Sequence, residues 1–406
     1  MDDDRGSKTV AWRLQAYSLG VVAALAVGLV FVSFGAAGDD RPDADVGEDY
    51  PAFYGAGRIA ADGDWDELWS FDRQVEAQAS LQGEEHAGEA RFFAYPPQVA
   101  LLYRPLAELP YPASYAIHSL LMGAFLAAAV ILARPMVPLL QGRVVPALAA
   151  SLTFWPMLKS VTGGSNTALT ALLVVAAWRL AHDDRDGAAG LVLSLLLFKP
   201  QFAIPLTGLF LLARRWRIVA GVAAGSALFY GLGALLVGPG WVGDWLRVAS
   251  DFGRLDAEVN GFSAVSFVGF FENALGVGAP AAIAIGGGLA AATALGLSWL
   301  WLRSRGRPLD VLLAISMPGM VLLSLHAMSH DGAVVLVTLA VMAAHLGRRA
   351  LPFLAAIWVV SVSQTWISSI GFSPGFFILL VVQWSAITSL GPLALEDRPP
   401  ATRVAG

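Results

Sequence analysis

Gly47-Glu48-Asp49-Tyr50-Pro51-Ala52-Phe53-Tyr54 is the most informative stretch of this sequence. It places the carboxylate of Asp49 beside three aromatic rings, inside a polar insert of residues 38–91 that separates one apolar segment from a long apolar remainder. The insert is rich in acidic and aromatic residues, and the chain returns to apolar sequence just after Tyr95-Pro96-Pro97. Loops on a rigid scaffold often carry the binding and catalytic residues. The pattern therefore predicts a membrane-embedded enzyme with its site under this loop.

The composition around the insert is that of a membrane protein. Of the 406 residues, 56% are hydrophobic and only 14% are charged, and the mean hydropathy is +0.63. A soluble core could not bury this much apolar surface, so we expect an all-α polytopic membrane protein. Cysteine is absent, which excludes disulfides across the insert, thiolate chemistry and cysteine-based metal sites. We find no Walker loop and no basic surface for nucleic acid, so neither ATP-driven transport nor nucleic-acid binding is expected.

The apolar sequence divides into about twelve segments, several of which are short for a membrane span. They cover residues 17–37, 113–133, 144–158, 165–181, 187–198, 201–213, 218–237, 278–302, 309–325, 332–346, 350–367 and 375–393. We accordingly divide the chain into a cytoplasmic N-terminus, a first transmembrane helix, an extracytoplasmic loop with the catalytic Asp, transmembrane helices 2–12 and a cytoplasmic tail. The respective ranges are 1–16, 17–37, 38–112, 113–393 and 394–406.

The arginines support this division. With a cytoplasmic N-terminus, alternation places the arginine-rich connections inside, as the positive-inside rule requires. These are Arg134 and Arg143, Arg179 and Arg185, Arg214-Arg215-Trp216-Arg217, Arg303, Arg305 and Arg307, and Arg348-Arg349. We therefore predict a multi-pass plasma-membrane protein with both termini in the cytoplasm and the functional site on the extracytoplasmic face.

Two segments allow another interpretation. Residues 17–37 follow basic residues and end in small ones, as a cleaved signal peptide does, but their apolar length exceeds the roughly 7 to 15 residues of a signal core. Residues 187–213 could form one tilted helix, which would invert all later topology. We favour two short helices broken at Lys199-Pro200, because proline removes a backbone donor and disturbs a continuous helix.

On this map three polar clusters emerge on the outer face: Asp49, Lys199 and residues 324–331. An ionisable side chain at membrane depth costs roughly 2.5 to 3.5 kcal/mol on insertion scales, so each cluster calls for a partner or a function. Their convergence on one face favours a shared site.

Asp49 is a candidate general base. Its aromatic neighbours would bring the carboxylate down to the membrane surface while leaving it hydrated, a setting that suits proton abstraction. The alternative is that Asp49 is one of many acidic residues that merely solvate an exposed loop. Asp45 is the nearest competing base.

Lys199 is a candidate phosphate ligand. It lies in Phe198-Lys199-Pro200-Gln201 within apolar sequence, where an ammonium group needs an anion or a path to water. A phosphate would serve, whereas snorkelling to the outer headgroups is the alternative. Arg58 and Arg104 are further possible phosphate partners, or interfacial anchors.

The run Ser324-Leu325-His326-Ala327-Met328-Ser329-His330-Asp331 connects two apolar segments. The two histidines and Asp331 could suggest a metal site, but the segment reads as a turn, so three ligands on one face are not expected. Hydrogen bonding or charge stabilisation of a phosphate is favoured. Structural satisfaction of helix ends is the remaining alternative.

In their order along the chain these motifs resemble glycosyltransferase family 87 of the GT-C superfamily, whose members are polyprenyl-phosphate-mannose-dependent mannosyltransferases. The resemblance is carried by Asp49 with Phe53-Tyr54-Gly55-Ala56-Gly57-Arg58, by 63–69, Phe93-Ala94-Tyr95-Pro96-Pro97, Leu101-Leu102, Pro105-Leu106 and Gly164-Ser165-Asn166, and by Lys199-Pro200-Gln201 and 324–331. It departs from the family where Leu325 replaces a proline, where His330 takes a tyrosine position, and where Gly164-Ser165 replaces a Gly-Gln pair.

The resemblance implies a GT-C-type fold with about 12 transmembrane helices and a large first extracytoplasmic loop. It implies an inverting transfer of mannose from a polyprenyl-phosphate donor to a glycolipid acceptor, of the phosphatidylinositol mannoside type, with no metal cofactor. The linkage class that the resemblance implies is α-1,2. The residues assigned are Asp49 and His326 as catalytic, Lys199, Arg58 and His330 as donor phosphate-binding, and Tyr54, Tyr95, Asn166, Gln201 and Asp331 as substrate-binding.

Two rival functions remain at this level. A related enzyme on the same scaffold would use another polyprenyl-linked sugar, such as arabinose or glucose, and only a donor assay separates it. A lipid or solute transporter would also have broken helices and intramembrane charge. We see no internal repeat, and an acidic loop of this size is unusual for a transporter.

Overall fold

The structure is a computed structural model that describes residues 2–35, 46–81, 90–260, 263–274, 278–304, 309–367 and 372–395. Regular secondary structure in these ranges is helical, apart from an isolated bridge between Ala264 and Met328. The predicted all-α class is therefore confirmed for this part of the chain. The alternative base Asp45, the arginines Arg305 and Arg307, and residues 396–406 of the predicted tail lie outside the described residues.

The helices follow one another with short connections. The first half contains α1 (Asp2–Gly35), α2 (Tyr50–Asp62), α3 (Phe71–Gln78), α4 (Pro97–Ala107), α5 (Tyr111–Ala133), α6 (Val144–Thr153), α7 (Trp155–Thr162), α8 (Thr167–His182), α9 (Asp186–Ser194) and α10 (Pro200–Leu212). The second half contains α11 (Trp216–Val237), α12 (Trp241–Asn260), α13 (Phe267–Gly269), α14 (Ala279–Arg303), α15 (Leu309–Leu322), α16 (Leu336–Leu346), α17 (Leu351–Val362), α18 (Gln364–Ile367) and α19 (Pro374–Leu395).

Within the described ranges, six helical stretches are long and apolar enough to cross a membrane: Val10–Phe34, Tyr111–Ala133, Trp216–Val237, Ala279–Arg303, Ser329–Val362 and Pro374–Leu395. A seventh forms if α6 and α7, which meet at 80°, are one broken span. Shorter apolar helices occupy Thr167–His182, Asp186–Phe198, Pro200–Leu212 and Leu309–Leu322. All twelve apolar segments of the sequence thus fall on helices, while the number of twelve crossings stays a prediction.

The predicted break at Lys199 is confirmed. α9 continues as a 3-10 turn to Phe198, Lys199 has a non-helical backbone (φ −129°, ψ 77°), and α10 begins at Pro200. Beyond α10, Arg215 Nη2 lies 3.3 Å from Asp186 Oδ1, at the start of α9. The chain therefore travels along α9 and returns along α10, and Lys199 lies at the tip of this hairpin. A single continuous helix would have separated Asp186 from Arg215 by its whole length.

Close contact between α9 and α11 fixes the hairpin. The two helices run parallel, because Asp186 lies beside Arg215 and Ser194 lies beside Gly225. A Cβ atom at Gly190 would lie 2.0 Å from the Ile218 carbonyl oxygen, so a side chain at this position would push the helices apart. Small residues allow such approach in membrane helix pairs.

The described part of the polar insert folds into short helices, of which α2 packs mainly against α4. α2 begins with Pro51 in its first turn and ends at Gly63, whose φ of 86° suits glycine. Its aromatic and small residues are buried, and Gly57 approaches the backbone of Tyr103 on α4. Gln78 of α3 both donates to and accepts from the backbone of Arg91 at 2.9 Å. These contacts make the insert a folded cap rather than an extended loop.

The helix α12 was not anticipated from the sequence. Residues 241–260 lie between two apolar segments, and their hydropathy alone predicts no membrane span. Trp241 and Trp245 are buried on one side of α12, and Trp245 Nε1 donates to the Ala94 carbonyl at 2.9 Å. This hydrogen bond ties α12, which follows α11, to the chain just after the polar insert.

Candidate active site

Asp49 is fixed by its backbone at the start of α2. It occupies the N-cap position, and its amide donates to the Gly163 carbonyl at 2.9 Å, which ties it to the connection between α7 and α8. Its side chain is 49% exposed. A carboxylate whose backbone is fixed by a hydrogen bond and whose side chain is open to solvent can receive a substrate hydroxyl and its proton.

Gly164 allows this close meeting of the two segments. Its φ is +74°, a conformation that favours glycine, and a Cβ atom there would lie 2.5 Å from Cβ of Tyr50. The Gly164-Ser165-Asn166 motif is thus explained in part by packing against the chain around Asp49. Burial raises the pKa of Tyr50, which accordingly stays a neutral phenol beneath the site.

Lys199, directly before α10, forms an ion pair with Asp331, which lies in the 3-10 turn Ser329–Val335. Lys199 Nζ lies 2.7 Å from Asp331 Oδ1, and the two side chains are 3% and 6% exposed. Thr167, the first residue of α8, contacts both of them, at 3.4 Å from Lys199 Nζ and 3.3 Å from Asp331 Oδ1. Lys199 therefore does not snorkel, and its anion within the protein is the carboxylate of Asp331.

His330 stands between the two carboxylates. Its Nε2 atom lies 4.0 Å from Asp49 Oδ2 and 3.9 Å from Asp331 Oδ2, and its side chain is 20% exposed. Asp49, His330, Asp331 and Lys199 thus form a continuous line of alternating acidic and basic groups from the surface to the interior. The convergence of the three polar clusters that the sequence predicted is observed here.

The turn that carries His330 is held by its own backbone. Asp331 Oδ2 accepts from the Met328 amide at 3.3 Å at the start of a 3-10 turn over Ser329–Val335. Ser324 donates to the His326 carbonyl at 2.7 Å, and the His326 ring meets the edge of Phe252 on α12 at 5.9 Å. The segment is a turn, as predicted, and it places His326 against α12 and His330 beside Asp49.

The other predicted site residues occupy different surroundings. Asn166 is 3% exposed, and its Oδ1 atom has no hydrogen-bond partner among the described residues. Gln201 is half-buried in the first turn of α10, close in sequence to Lys199. Tyr54 donates to the Leu109 carbonyl at 2.9 Å. The ring of Tyr95 packs 5.0 Å from that of Phe53.

Of the two arginines considered as phosphate partners, Arg58 lies on α2 of the insert and Arg104 on α4. Arg58 donates to Ser80 Oγ at 3.0 Å, and Arg104 is exposed in the last turn of α4. Their roles, like those of the other assigned residues, stay predictions. Thr167 was missed, although a hydroxyl residue directly after the Gly164-Ser165-Asn166 motif was a signal for it.

An apolar cavity of about 170 Å³ lies among α5, α6, α8, α16 and α17. α8, which starts at Thr167, lines it with Ala171, Val175 and Trp178. The turn that starts beside Asp331 lines it with Ala333 and Val334, and α5, α6, α16 and α17 complete the wall. Among the residues that the structure describes, no group of three or more His, Asp and Glu side chains is arranged to hold a metal ion.

Comparison with known proteins gives one match. The model of a family described as glycosyltransferase family 87 matches residues 93–325, more than half of the chain. This range includes Asn166, Thr167 and Lys199 and ends just before His326, whereas Asp49, His330 and Asp331 lie outside it. No curated protein and no solved structure matches the chain.

Proposed function

The chain belongs to glycosyltransferase family 87, and we propose that this membrane enzyme transfers mannose from polyprenyl-phosphate-mannose to a lipid-linked glycan. The acceptor is of the phosphatidylinositol mannoside type, the linkage is α-1,2, and transfer takes place on the extracytoplasmic face of the plasma membrane. The observation that carries the proposal is the line of Asp49, His330, Asp331 and Lys199, which brings an accessible carboxylate together with basic groups.

In the proposed mechanism Asp49 is the general base. An acceptor hydroxyl oxygen attacks the anomeric carbon while Asp49 takes the hydroxyl proton. The bond between the anomeric carbon and the phosphate oxygen breaks, and its electron pair leaves with the polyprenyl phosphate. One displacement of this kind inverts the anomeric centre. The half-exposed side chain and fixed backbone of Asp49 suit this role.

The leaving phosphate gains negative charge, so nearby cationic groups lower the barrier. His330 is the basic side chain beside Asp49, and we assign it to this charge together with His326. Lys199 is already paired with Asp331, and its contribution to the phosphate is an electrostatic one through that buried pair. Arg58 is a further phosphate ligand in the proposal, for which it must exchange its contact with Ser80. Tyr54, Tyr95, Asn166, Gln201 and Asp331 complete the proposed substrate contacts.

The apolar cavity supports a lipid-linked donor. Ala171 and Ala333 of its wall follow Thr167 and Asp331 by four and two residues in sequence. The wall is almost wholly aliphatic and aromatic, which suits an isoprenoid chain rather than a second sugar. We further propose that no metal is required, because a polyprenyl monophosphate carries less charge than a nucleotide diphosphate and protein side chains can balance it. The proposed topology has twelve crossings and both termini in the cytoplasm.

The alternative is an enzyme of the same family that uses a polyprenyl-linked arabinose or glucose, since the donor sugar is read by contacts that the family match does not specify. A transporter is disfavoured because it needs no carboxylate positioned beside a histidine at the surface.

The decisive experiment measures transfer of labelled mannose from polyprenyl-phosphate-mannose to endogenous lipid in membranes that contain wild-type protein, Asp49→Asn or Asp66→Asn. Asp66 is an exposed acid of the same folded insert and serves as the matched control. We expect full transfer by the wild type and Asp66→Asn, and by Asp49→Asn only a residual rate, about 100- to 10,000-fold lower. Full activity of Asp49→Asn would overturn the base assignment. Transfer only from another polyprenyl-linked sugar would overturn the donor.

A further inference from the structure

The outer end of α5 carries buried polar side chains on one face. Tyr111, Ser114, Tyr115 and His118 are 4%, 0%, 2% and 1% exposed, and their spacing of three, four and seven residues places them on one side of a helix. We name this set the polar face of α5. Polar groups buried in an apolar helix need partners, so the contacts of these four side chains reveal what the face does.

Two of the contacts reach the backbone segments that meet at Asp49. Tyr111 donates its hydroxyl to the Val46 carbonyl at 2.5 Å, three residues before Asp49. Tyr115 donates to the Thr162 carbonyl at 2.5 Å, directly before Gly163, whose carbonyl accepts the Asp49 amide. The two tyrosines are one helical turn apart, about 6 Å along the axis, so one rigid helix sets the spacing of both segments.

Ser114 and His118, the other two members of the polar face of α5, contact Tyr50, the residue that follows Asp49. Ser114 Oγ lies 2.5 Å from the Tyr50 hydroxyl, and the His118 ring lies 4.8 Å from the Tyr50 ring. The Tyr115 ring also packs on Gly47, where a Cβ atom would lie 2.9 Å from it. His118 Nδ1 also lies 3.2 Å from the Tyr103 hydroxyl on α4. The other contacts named here are made to the chain immediately before or after Asp49, or to the segment that accepts its amide.

We infer that Tyr111 and Tyr115 are positioning residues, whose hydroxyls fix the Asp49 carboxylate relative to His330. The inference rests on the proposed function, in which Asp49 takes the acceptor proton. Neither hydroxyl touches the substrate; each holds a carbonyl that locates the backbone of Asp49. Because a displacement of about 1 Å in a reacting group can cost about a hundredfold in rate, two hydrogen bonds to this backbone control kcat rather than substrate affinity.

Tyr111→Phe and Tyr115→Phe test the inference, since each removes only a hydroxyl. We expect kcat to fall about 10- to 100-fold with the donor KM changed by less than about twofold. Tyr230→Phe is the matched control, because it also loses a hydroxyl bond to a carbonyl, that of Pro239 at 2.9 Å, but away from Asp49. Its kcat should equal that of the wild type.

Combination with Asp49→Asn separates positioning from general stability. If the tyrosines act through Asp49, Tyr115→Phe lowers the residual rate of Asp49→Asn no further. An additional loss of the same size as in the wild type would overturn the inference, as would wild-type kcat in both single variants. Full activity of Asp49→Asn would instead be the failure of the proposed function.

A second measurement does not depend on the donor. The chain has no cysteine, so Asp49→Cys with His330→Cys provides the only thiol pair in the protein. Cross-linking of this pair by a short bismaleimide should slow at least about fivefold when Tyr111→Phe and Tyr115→Phe are added, because the spacing of the two segments is lost. An unchanged cross-linking rate would overturn the inference whatever the donor sugar is.

Discussion

Lys199 Nζ lies 2.7 Å from Asp331 Oδ1 although 132 residues separate them in sequence, and both side chains are almost completely buried. The pair closes the inner end of the polar line that begins at Asp49. It joins the tip of the α9–α10 hairpin to the turn that carries His330.

Loss of one partner should destabilise the protein strongly. Lys199→Met leaves the Asp331 carboxylate buried without its cation, which typically costs about 3 to 5 kcal/mol in the free energy of unfolding. Unfolding in detergent, followed by denaturant titration, measures this cost. Arg247→Gln is the matched control, since Arg247 pairs with Asp244 at 3.3 Å on the surface, and it should cost less than about 1 kcal/mol. Equal costs would contradict the burial of the pair.

Removal of both partners separates folding from catalysis. Lys199→Met combined with Asp331→Leu replaces the ion pair by apolar side chains, so most of the stability should return. Transfer activity should stay at least about tenfold below that of the wild type, because the leaving phosphate loses the electrostatic contribution of the pair. Wild-type turnover in this stable double variant would show that the pair is only structural.

We expect His330 to contribute strongly to catalysis although its side chain is only 20% exposed. His330→Gln removes the basic group 4.0 Å from Asp49, and we expect kcat to fall about 10- to 1,000-fold with little change in stability. His345→Gln provides the comparison, since His345 also faces a carboxylate, Asp310 at 3.6 Å, but on another part of the protein. Steady-state kinetics in membranes measure both. A similar effect of the two substitutions would point to a general loss of structure.

Gly164→Ala tests whether a side chain fits where the connection between α7 and α8 contacts the chain around Asp49. The new Cβ atom would overlap Cβ of Tyr50, so we expect a loss of stability above about 2 kcal/mol and little transfer. Gly142 has a similar φ of +70° but no atom within 4 Å of a Cβ, so Gly142→Ala should lose only about 1 kcal/mol from backbone strain. Thermal unfolding of the two variants separates overlap from strain, and equal losses would exclude overlap as the cause.

The hairpin predicts which side of the membrane Arg217 faces. Because Arg215 lies beside Asp186, single cysteines introduced at Gly187 and Arg217 should react with membrane-impermeant maleimide from the same side. With the positive-inside rule this side is the cytoplasm. Labelling of the two positions from opposite sides would refute the hairpin.

Much of the fold could be predicted because long apolar runs specify helices by composition alone. The break at Lys199 was readable from Pro200, since proline interrupts a helix by its own chemistry. α12 was not readable in this way, because an amphipathic helix outside the apolar segments is stabilised by contacts that only the folded chain provides, such as that of Trp245 with Ala94.

In the candidate site, too, some residues could be predicted from the sequence and others could not. Polar residues in apolar sequence pointed to Lys199 and the turn with His330, because their burial cost demands an explanation. Asp49 was singled out instead by the aromatic residues beside it in the polar insert. The partner of Lys199 could not be deduced, since several acidic residues compete for it and the choice depends on tertiary packing. The polar face of α5 was missed, although Tyr111, Ser114, Tyr115 and His118 repeat at helical spacing in an otherwise apolar segment.

The long-range pairing of Lys199 also has a consequence for how the protein is made. A ribosome adds roughly 5 to 20 residues per second, so Asp331 emerges roughly 7 to 26 seconds after Lys199, given the 132 residues between them. During that interval the hairpin tip holds a lysine whose final counter-ion does not yet exist.

The α9–α10 hairpin is therefore synthesised before the residue that neutralises the charge at its tip. Chains that end before Asp331 lack the carboxylate that pairs with Lys199 in the finished fold. The ion pair can form only after synthesis has passed Asp331, so its presence distinguishes a chain that has reached the turn with His330 from a shorter one.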